Sequence, residues 1–349
     1  MKRFALTAAL WLTVGAVAFD GCCLVDEDLS GCGEASEVDY QLQLVTNMRT
    51  ELETVLSLEA DIHVSTALRT FLGDVFTDFA HDVDLSFYDI AGDMPLLEHM
   101  SEIMDANQSS YTLYLPARDY MHTCVANIVG NGAVTLEGID YCHSGRLVQH
   151  VPDSHIVEPH KTGLFTARQE MNVSGSVSQS FDVNLYMANA ATALVIDTGG
   201  VSGVKDIRVE LRGLADGFNI ADSTYTFNTN PRIATNRLPV QEGTEECFAS
   251  VHFPSREPDP DTKVIVEAPE LFYEENSEEV LWQWCVYVTM EDDTVTETIL
   301  GVRKQLKAGQ LMITKAVLRE MGEVTAEDPY VGMSVTLNWQ EGSSHDSEL

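Results

Sequence analysis

Cys22 has the most defined chemistry in this 349-residue chain, because of what precedes it. Lys2 and Arg3 form a basic start, Phe4 to Phe19 run without a charge, and Asp20, Gly21, Cys22 and Cys23 follow. A basic start and an apolar run ending at a cysteine read as a secretory signal, residues 1–21, with the Cys22 thiol placed for acylation. The uncharged run is 16 residues long. As a helix it would reach roughly 24 Å, short of the ~30 Å hydrocarbon core of a bilayer, so a cleaved signal is expected in place of a permanent span. Residues 22–36 then form a lipid tether, with Asp26, Glu27 and Asp28 as an acidic cluster just after the anchor.

Three further groups hold residue types capable of chemistry. Cys142, His143, His150, His155 and His160 are metal-ligand types, but their spacing falls on no common helix face and no carboxylate motif joins them, so no metal is expected. Asp259 and Asp261, in the charged proline loop from Pro254, lack the glycine and distal glutamate of an EF-hand and read as a solvated turn. Trp282 and Trp284 share one strand face with Val286 and Val288. Two neighbouring indoles could form a sugar platform, whereas alternation with valine favours a core position.

Composition narrows the functional classes. With 20 Lys and Arg against 55 Asp and Glu, the net charge is −35, which argues against nucleic acid as a partner. The sequence contains no G-x-S-x-G, phosphate loop, H-E-x-x-H or dinucleotide fingerprint, so neither an enzyme nor a cofactor is expected. Of seven cysteines, one is assigned to lipid and none of the rest shows C-x-x-C spacing. Cys124 and Cys142, 18 residues apart, are compatible with a disulfide contributing about 3 kcal/mol or with two buried thiols.

The elements that must position these residues are mostly strands. Tyr40, Leu42 and Leu44 alternate with polar residues, as do Val83, Leu85 and Phe87, with Asp82, Asp84 and Ser86 on the opposite face. Between them, Leu52, Val55, Leu56, Val64, Leu68, Phe71, Leu72 and Val75 follow three-to-four spacing and predict two short helices over Met48 to Phe76. Tyr111 to Leu115 and Tyr120 to Ile128, joined by a turn at Pro116 to Asp119, predict a hairpin. Phe165 to Ser180 is the candidate boundary between an N-terminal domain, 37–168, and a C-terminal domain, 169–340, which opens with the alternating run from Phe181. Val280 to Met290 and Val295 to Val302 form a second hairpin, Val331, Val335, Leu337 and Trp339 mark the last strand, and residues 341–349 are expected to fray. The fold class is all-β with short helical insertions.

Two runs carry a resemblance. FTDFAHDVDLSFYDIAGD, in which Val83, Leu85, Tyr88, Asp89 and Gly92 matter most, is followed by YTLYLPARDYMHTCVAN, with Leu115, Pro116, Tyr120, Ala126 and Asn127. Together with a lipobox-like Gly21-Cys22, their order resembles the fimbrial anchor and assembly subunits of Bacteroidales-type (type V) fimbriae. The helical insertion is longer than that family leads one to expect. The resemblance implies two tandem transthyretin-like (Greek-key) β-sandwiches in a palmitate-bearing lipoprotein of the outer membrane, exposed at the cell surface. It also implies other fimbrial subunits as partners and a role in adhesion without catalysis. Stalk subunits of that family are trimmed after an arginine beyond the first strand, a place held here by Arg49. An anchor keeps its first strand, so the junction would use Val331, Val335, Leu337 and Trp339 for strand addition, or another unpaired sheet edge. The alternative is a surface lipoprotein that binds glycans through exposed aromatics.

Overall fold

The computed structural model describes residues 35–45, 48–104, 110–175, 178–241, 243–258, 280–327 and 331–340, without the side chains of 102–104 and 332–340. Strand β1 (Ala35–Leu44) leads into helices α1 (Met48–Glu59) and α2 (Ile62–Leu72). Then follow β2 (Asp82–Asp89), β3 (Leu96–Met104), β4 (Ser110–Pro116), β5 (Asp119–Ala126), β6 (Val134–Glu137), β7 (Arg146–Gln149), β8 (Ile156–Val157), β9 (Phe165–Asn172) and β10 (Gln179–Met187). The rest comprises β11 (Ala190–Asp197), β12 (Val204–Arg212), β13 (Gly217–Asn219), β14 (Thr224–Thr226), β15 (Arg232–Ala234), β16 (Asn236–Leu238), β17 (Glu245–His252), β18 (Trp282–Met290), β19 (Thr294–Val302), β20 (Leu311–Leu318), β21 (Val324–Ala326) and β22 (Val331–Gln340). The chain is all-β with a short helical insertion.

The first sheet runs β3-β2-β5-β9-β10-β1-β4. Residues Gln179 to Leu185 of β10 pair in parallel with β1, and its last two residues, Tyr186 and Met187, pair with β9. Tyr40 of β1 and His122 of β5 hydrogen-bond at 2.5 Å although two strands separate theirs in the sheet. The sheet is therefore folded over into two facing layers, with Val38, Tyr40, Leu85, Phe87, Leu113 and Leu115 buried between them. The predicted hairpin of β4 and β5 does not form. β4 pairs with β1, and β5 lies between β2 and β9. Proline and a short polar turn reverse the chain here, but the reversal carries it from one layer to the other.

The polar face of β2 is also covered. Asp82 Oδ1 accepts the Ile128 and Val129 amides at 3.0 and 3.2 Å, and Asp84 meets His99 Nε2 at 2.9 Å. Alternation therefore separates apolar from polar on β2 without separating inside from outside.

A five-stranded sheet, β16-β17-β11-β20-β21, forms a middle layer. Ala191, Ala193 and Val195 of β11 join the first core, whereas Ala190, Leu194 and Ile196 join a second core. Burial on both faces explains why this strand reads as continuous apolar residues. The second core is closed by a six-stranded sheet, β22-β19-β18-β12-β15-β8. The β18–β19 hairpin is formed as expected. The run from Leu306 to Ile313 feeds β20 into parallel pairing with β11.

The last sheet, β14-β13-β7-β6, takes two strands from each side of residue 168. The expected division after residue 168 falls inside β9, and β10 lies in the first sheet. The chain leaves that sheet between Met187 and Ala190.

Candidate functional site

Strand β22, which carries Val331, Val335, Leu337 and Trp339, lies at the edge of the six-stranded sheet. It pairs with β19, with Val331 opposite Val302, Val335 opposite Ile299, Leu337 opposite Glu297 and Trp339 opposite Val295. Among the described residues no strand pairs with its other side. A ten-residue edge strand presents alternate N–H and C=O groups that another chain can pair with. β19 gives it a firm base, because Thr296 Oγ1 donates to Met321 O at 2.7 Å and Thr298 Oγ1 accepts the Val324 amide at 3.2 Å.

The first sheet has two further edges. β3 is bulged twice against β2, a feature that discourages regular pairing. Among the described residues β4 pairs only with β1, and it carries Tyr114, which is 62% exposed. β1 itself is embedded, with β10 on one side and β4 on the other. Arg49 follows in the first turn of α1, where its amide donates to Asp78 Oδ1 at 3.3 Å. Cys22, Asp259 and Asp261 lie outside the described residues.

The tryptophans are core residues. Trp282 and Trp284 are fully buried, with ring centroids 5.5 Å apart, and their N–H groups donate to Lys304 O at 3.0 Å and Thr314 Oγ1 at 3.3 Å. They offer no sugar platform. The metal-type residues are scattered. Cys142 packs with Tyr88 and Met121, and His160 is buried elsewhere. Among the described residues no three His, Cys, Asp or Glu form a metal-holding group. Cys124, Cys142, Cys247 and Cys285 are buried free thiols, and burial pushes Cys124 and Cys247 up to about 12, which leaves those two unreactive.

Alternation gave no sign of the buried polar network at the junction of the sheets. Asn189 Nδ2 donates to His160 Nδ1 at 3.3 Å and to Thr162 O at 2.9 Å, so the His160 Nε2–H donates to Gln149 Oε1 at 2.6 Å. Burial lowers His160 to about 3, and His122 and His252 to about 4, so all three are neutral. They act as structural hydrogen-bonding groups.

Beside this network a cleft of about 630 Å³ opens. It is bounded by the start of α1, β9 with β10, the β13–β14 hairpin and the turn before β20. Its outer residues include Glu51, Arg168, Tyr186 and Lys307. In the sequence these residues look like ordinary solvent-facing positions on separate elements.

No protein-family model matches the chain, and no curated protein is significantly similar to it. Solved structures do resemble it. A Bacteroides ovatus protein described as a "putative adhesin" superposes with a TM-score of 0.52 at 9% identity, over 86% of this chain and 96% of that one. A Bacteroides thetaiotaomicron structure of "putative polysaccharide binding proteins" gives 0.50 at 11% identity, over 86% and 98%. The fimbrial anchor protein Mfa2 of Porphyromonas gingivalis gives 0.44 at 8% identity, over 88% and 98%. At these identities, what the chain shares with the two Bacteroides proteins is their fold.

Proposed function

We propose that this chain is a lipid-anchored fimbrial subunit, held at the outer membrane through acylated Cys22 and joined to other subunits by strand addition at β22. The observation that carries this reading is the long C-terminal edge strand, unpaired on one side among the described residues, together with a first strand that, in another sheet, is already enclosed. Main-chain pairing at such an edge supplies affinity without a specialised pocket. The ordered motifs from Val83 to Gly92 and from Leu115 to Asn127, the signal ending at Cys22 and the fold shared with a candidate adhesin support it. The glycan alternative loses its two indoles to the core.

Two experiments test the two halves of the proposal. Removal of residues 331–349 is expected to abolish multimers that survive mild detergent, with acylation retained and thermal melting showing that the remainder is folded. Multimers that persist in this folded truncation would overturn strand addition at β22. Cys22→Ala is expected to release folded protein from membranes, since each buried acyl methylene contributes about 0.8 kcal/mol to anchoring. An alanine variant that stays with membranes after a high-salt wash would overturn the lipid anchor.

A further inference from the structure

The cleft at the junction combines features that none of the strand edges has. Its volume, about 630 Å³, lies within the range of small-ligand sites. Met187, Phe218 and Ile220 give it a buried apolar floor. Above the floor, Tyr186 projects from an outward position of β10 and is 58% exposed. The neighbouring Tyr225 is tied down, its hydroxyl donating to Ala188 O at 2.8 Å. Tyr186 therefore presents the accessible aromatic face.

The rim carries two cations. Arg49, Arg69, Arg146 and Arg237 each meet a carboxylate within 4.0 Å. Arg168 and Lys307 line the cleft, and among the described residues neither forms such an ion pair. In a chain of net charge −35, two cations left for a cleft favour an anionic ligand. At physiological salt the Debye length is about 8 Å, so the charges on the rim itself, Arg168, Lys307 and Glu51, act on a bound group more strongly than the distant acidic surface. Glu51, from the first turn of α1, adds one acceptor to the same rim.

We propose that this cleft binds an anionic saccharide: Arg168 and Lys307 take its carboxylate or sulfate, Tyr186 stacks on the apolar face of a pyranose ring, and Glu51 accepts ring hydroxyls. An acidic peptide fits less well. Thr166 of β9 is paired on both sides, with Val125 and with Tyr186, so where β9 meets β10 this wall offers side chains and no open strand edge. The site does not depend on strand addition, because among the described residues none of its lining comes from β22.

Calorimetric titration of the full-length protein in detergent tests the proposal. The probes are a galacturonate tetramer, a chondroitin sulfate tetrasaccharide, a neutral galactose tetramer and hexaglutamate. One or both acidic sugars are expected to bind, and comparing them tells whether carboxylate or sulfate is preferred. The neutral tetramer should bind about tenfold more weakly or worse, as loss of a charge-assisted contact implies. Tyr186→Ala, and Arg168→Gln combined with Lys307→Gln, should each weaken binding about tenfold or more without shifting the melting temperature. Failure of both acidic sugars to bind, equal binding of hexaglutamate, or undiminished affinity in the folded variants would each overturn it.

Discussion

Asn127 closes β5 with a backbone conformation that few residues adopt. Its φ is 65°, its side-chain oxygen accepts the His81 amide at 2.6 Å, and its Nδ2 donates to Gly163 O at 2.8 Å. Asparagine tolerates the left-handed region better than other non-glycine residues, and here it also satisfies two backbone groups, of which the Gly163 carbonyl is buried. Tyr120, earlier in the same motif, ties its hydroxyl to Pro116 O at 2.8 Å and so fixes the corner between β4 and β5. Asn127→Ala should lose both hydrogen bonds and add backbone strain, lowering stability by about 3 kcal/mol in urea unfolding. Asn127→Gly relieves the strain and should recover about 1 kcal/mol of that loss. An alanine variant as stable as the parent would show that the two bonds contribute nothing net. The buried histidines set the acid limit. His122, His160 and His252 have folded values of about 4, 3 and 4, below their ordinary 6.5. The unfolded chain therefore binds more protons once the pH drops below that ordinary value. Stability from these groups is full above it and declines as the pH falls toward the folded values, by roughly 2 kcal/mol per histidine at about pH 5. His122→Gln should shift the acid midpoint of unfolding to lower pH, and an unchanged midpoint would remove His122 from this account.

At the scale of elements, the helical insertion is pinned to the middle sheet by two acids. Asp61 caps α2, accepting the His63 and Val64 amides at 2.7 and 2.9 Å, and it shares a hydrogen bond with Glu245 at the start of β17. That bond, partial burial and the nearby carboxylates of Asp61 and Asp197 push Glu245 up to about 7, with Lys315 opposing. A raised folded value favours the folded state below the unfolded one of about 4.3, and the gain disappears as the pH rises through the folded one. Glu245→Gln keeps a donor toward Asp61 at every pH. Its melting temperature should therefore stay level between about pH 4.3 and pH 7, where the parent's falls, and parallel profiles would exclude the carboxyl pair as the cause. How far such elements can be read from sequence depends on what surrounds them. α1 and α2 were legible because each buries one stripe, and β18 with β19 because a short turn brings two alternating runs side by side. The partners of β4 were not legible, since alternation reports which face is buried and says nothing about which strand lies alongside. The same limit applies to the candidate sites. The burial of Trp282 and Trp284 could be read from their spacing, whereas the edge position of β22 and the convergence of Arg168, Tyr186 and Lys307 arise from pairing between distant segments.

At the scale of the whole molecule, the cores are linked through shared layers. The first core contains Leu85, Leu56 and Leu68 together with Ala193, Ala249 and Ile313 of the middle sheet, whose other face carries the second core. α1 rests on β20, and α2 on β16 and β17. Strands β6, β7 and β8 precede β9 in the chain yet pair into sheets completed by β13 and β15. Unfolding the first sheet would therefore bare an apolar face of the middle layer and strip β8 from the six-stranded sheet. A division into two domains after residue 168 predicts independent folding, whereas the shared middle layer predicts a single cooperative unit. Leu85→Asp separates the two. An unpaired buried carboxylate costs several kcal/mol, comparable to the total stability of a domain. We expect Leu85→Asp to unfold both ends of the chain, and the parent to show one calorimetric transition whose measured enthalpy equals the van't Hoff value. Limited proteolysis of the variant should leave no resistant core. A stable fragment beginning between about residue 170 and residue 190 would show that the C-terminal sheets fold alone, and the molecule would have to be described as two domains joined by a dispensable contact.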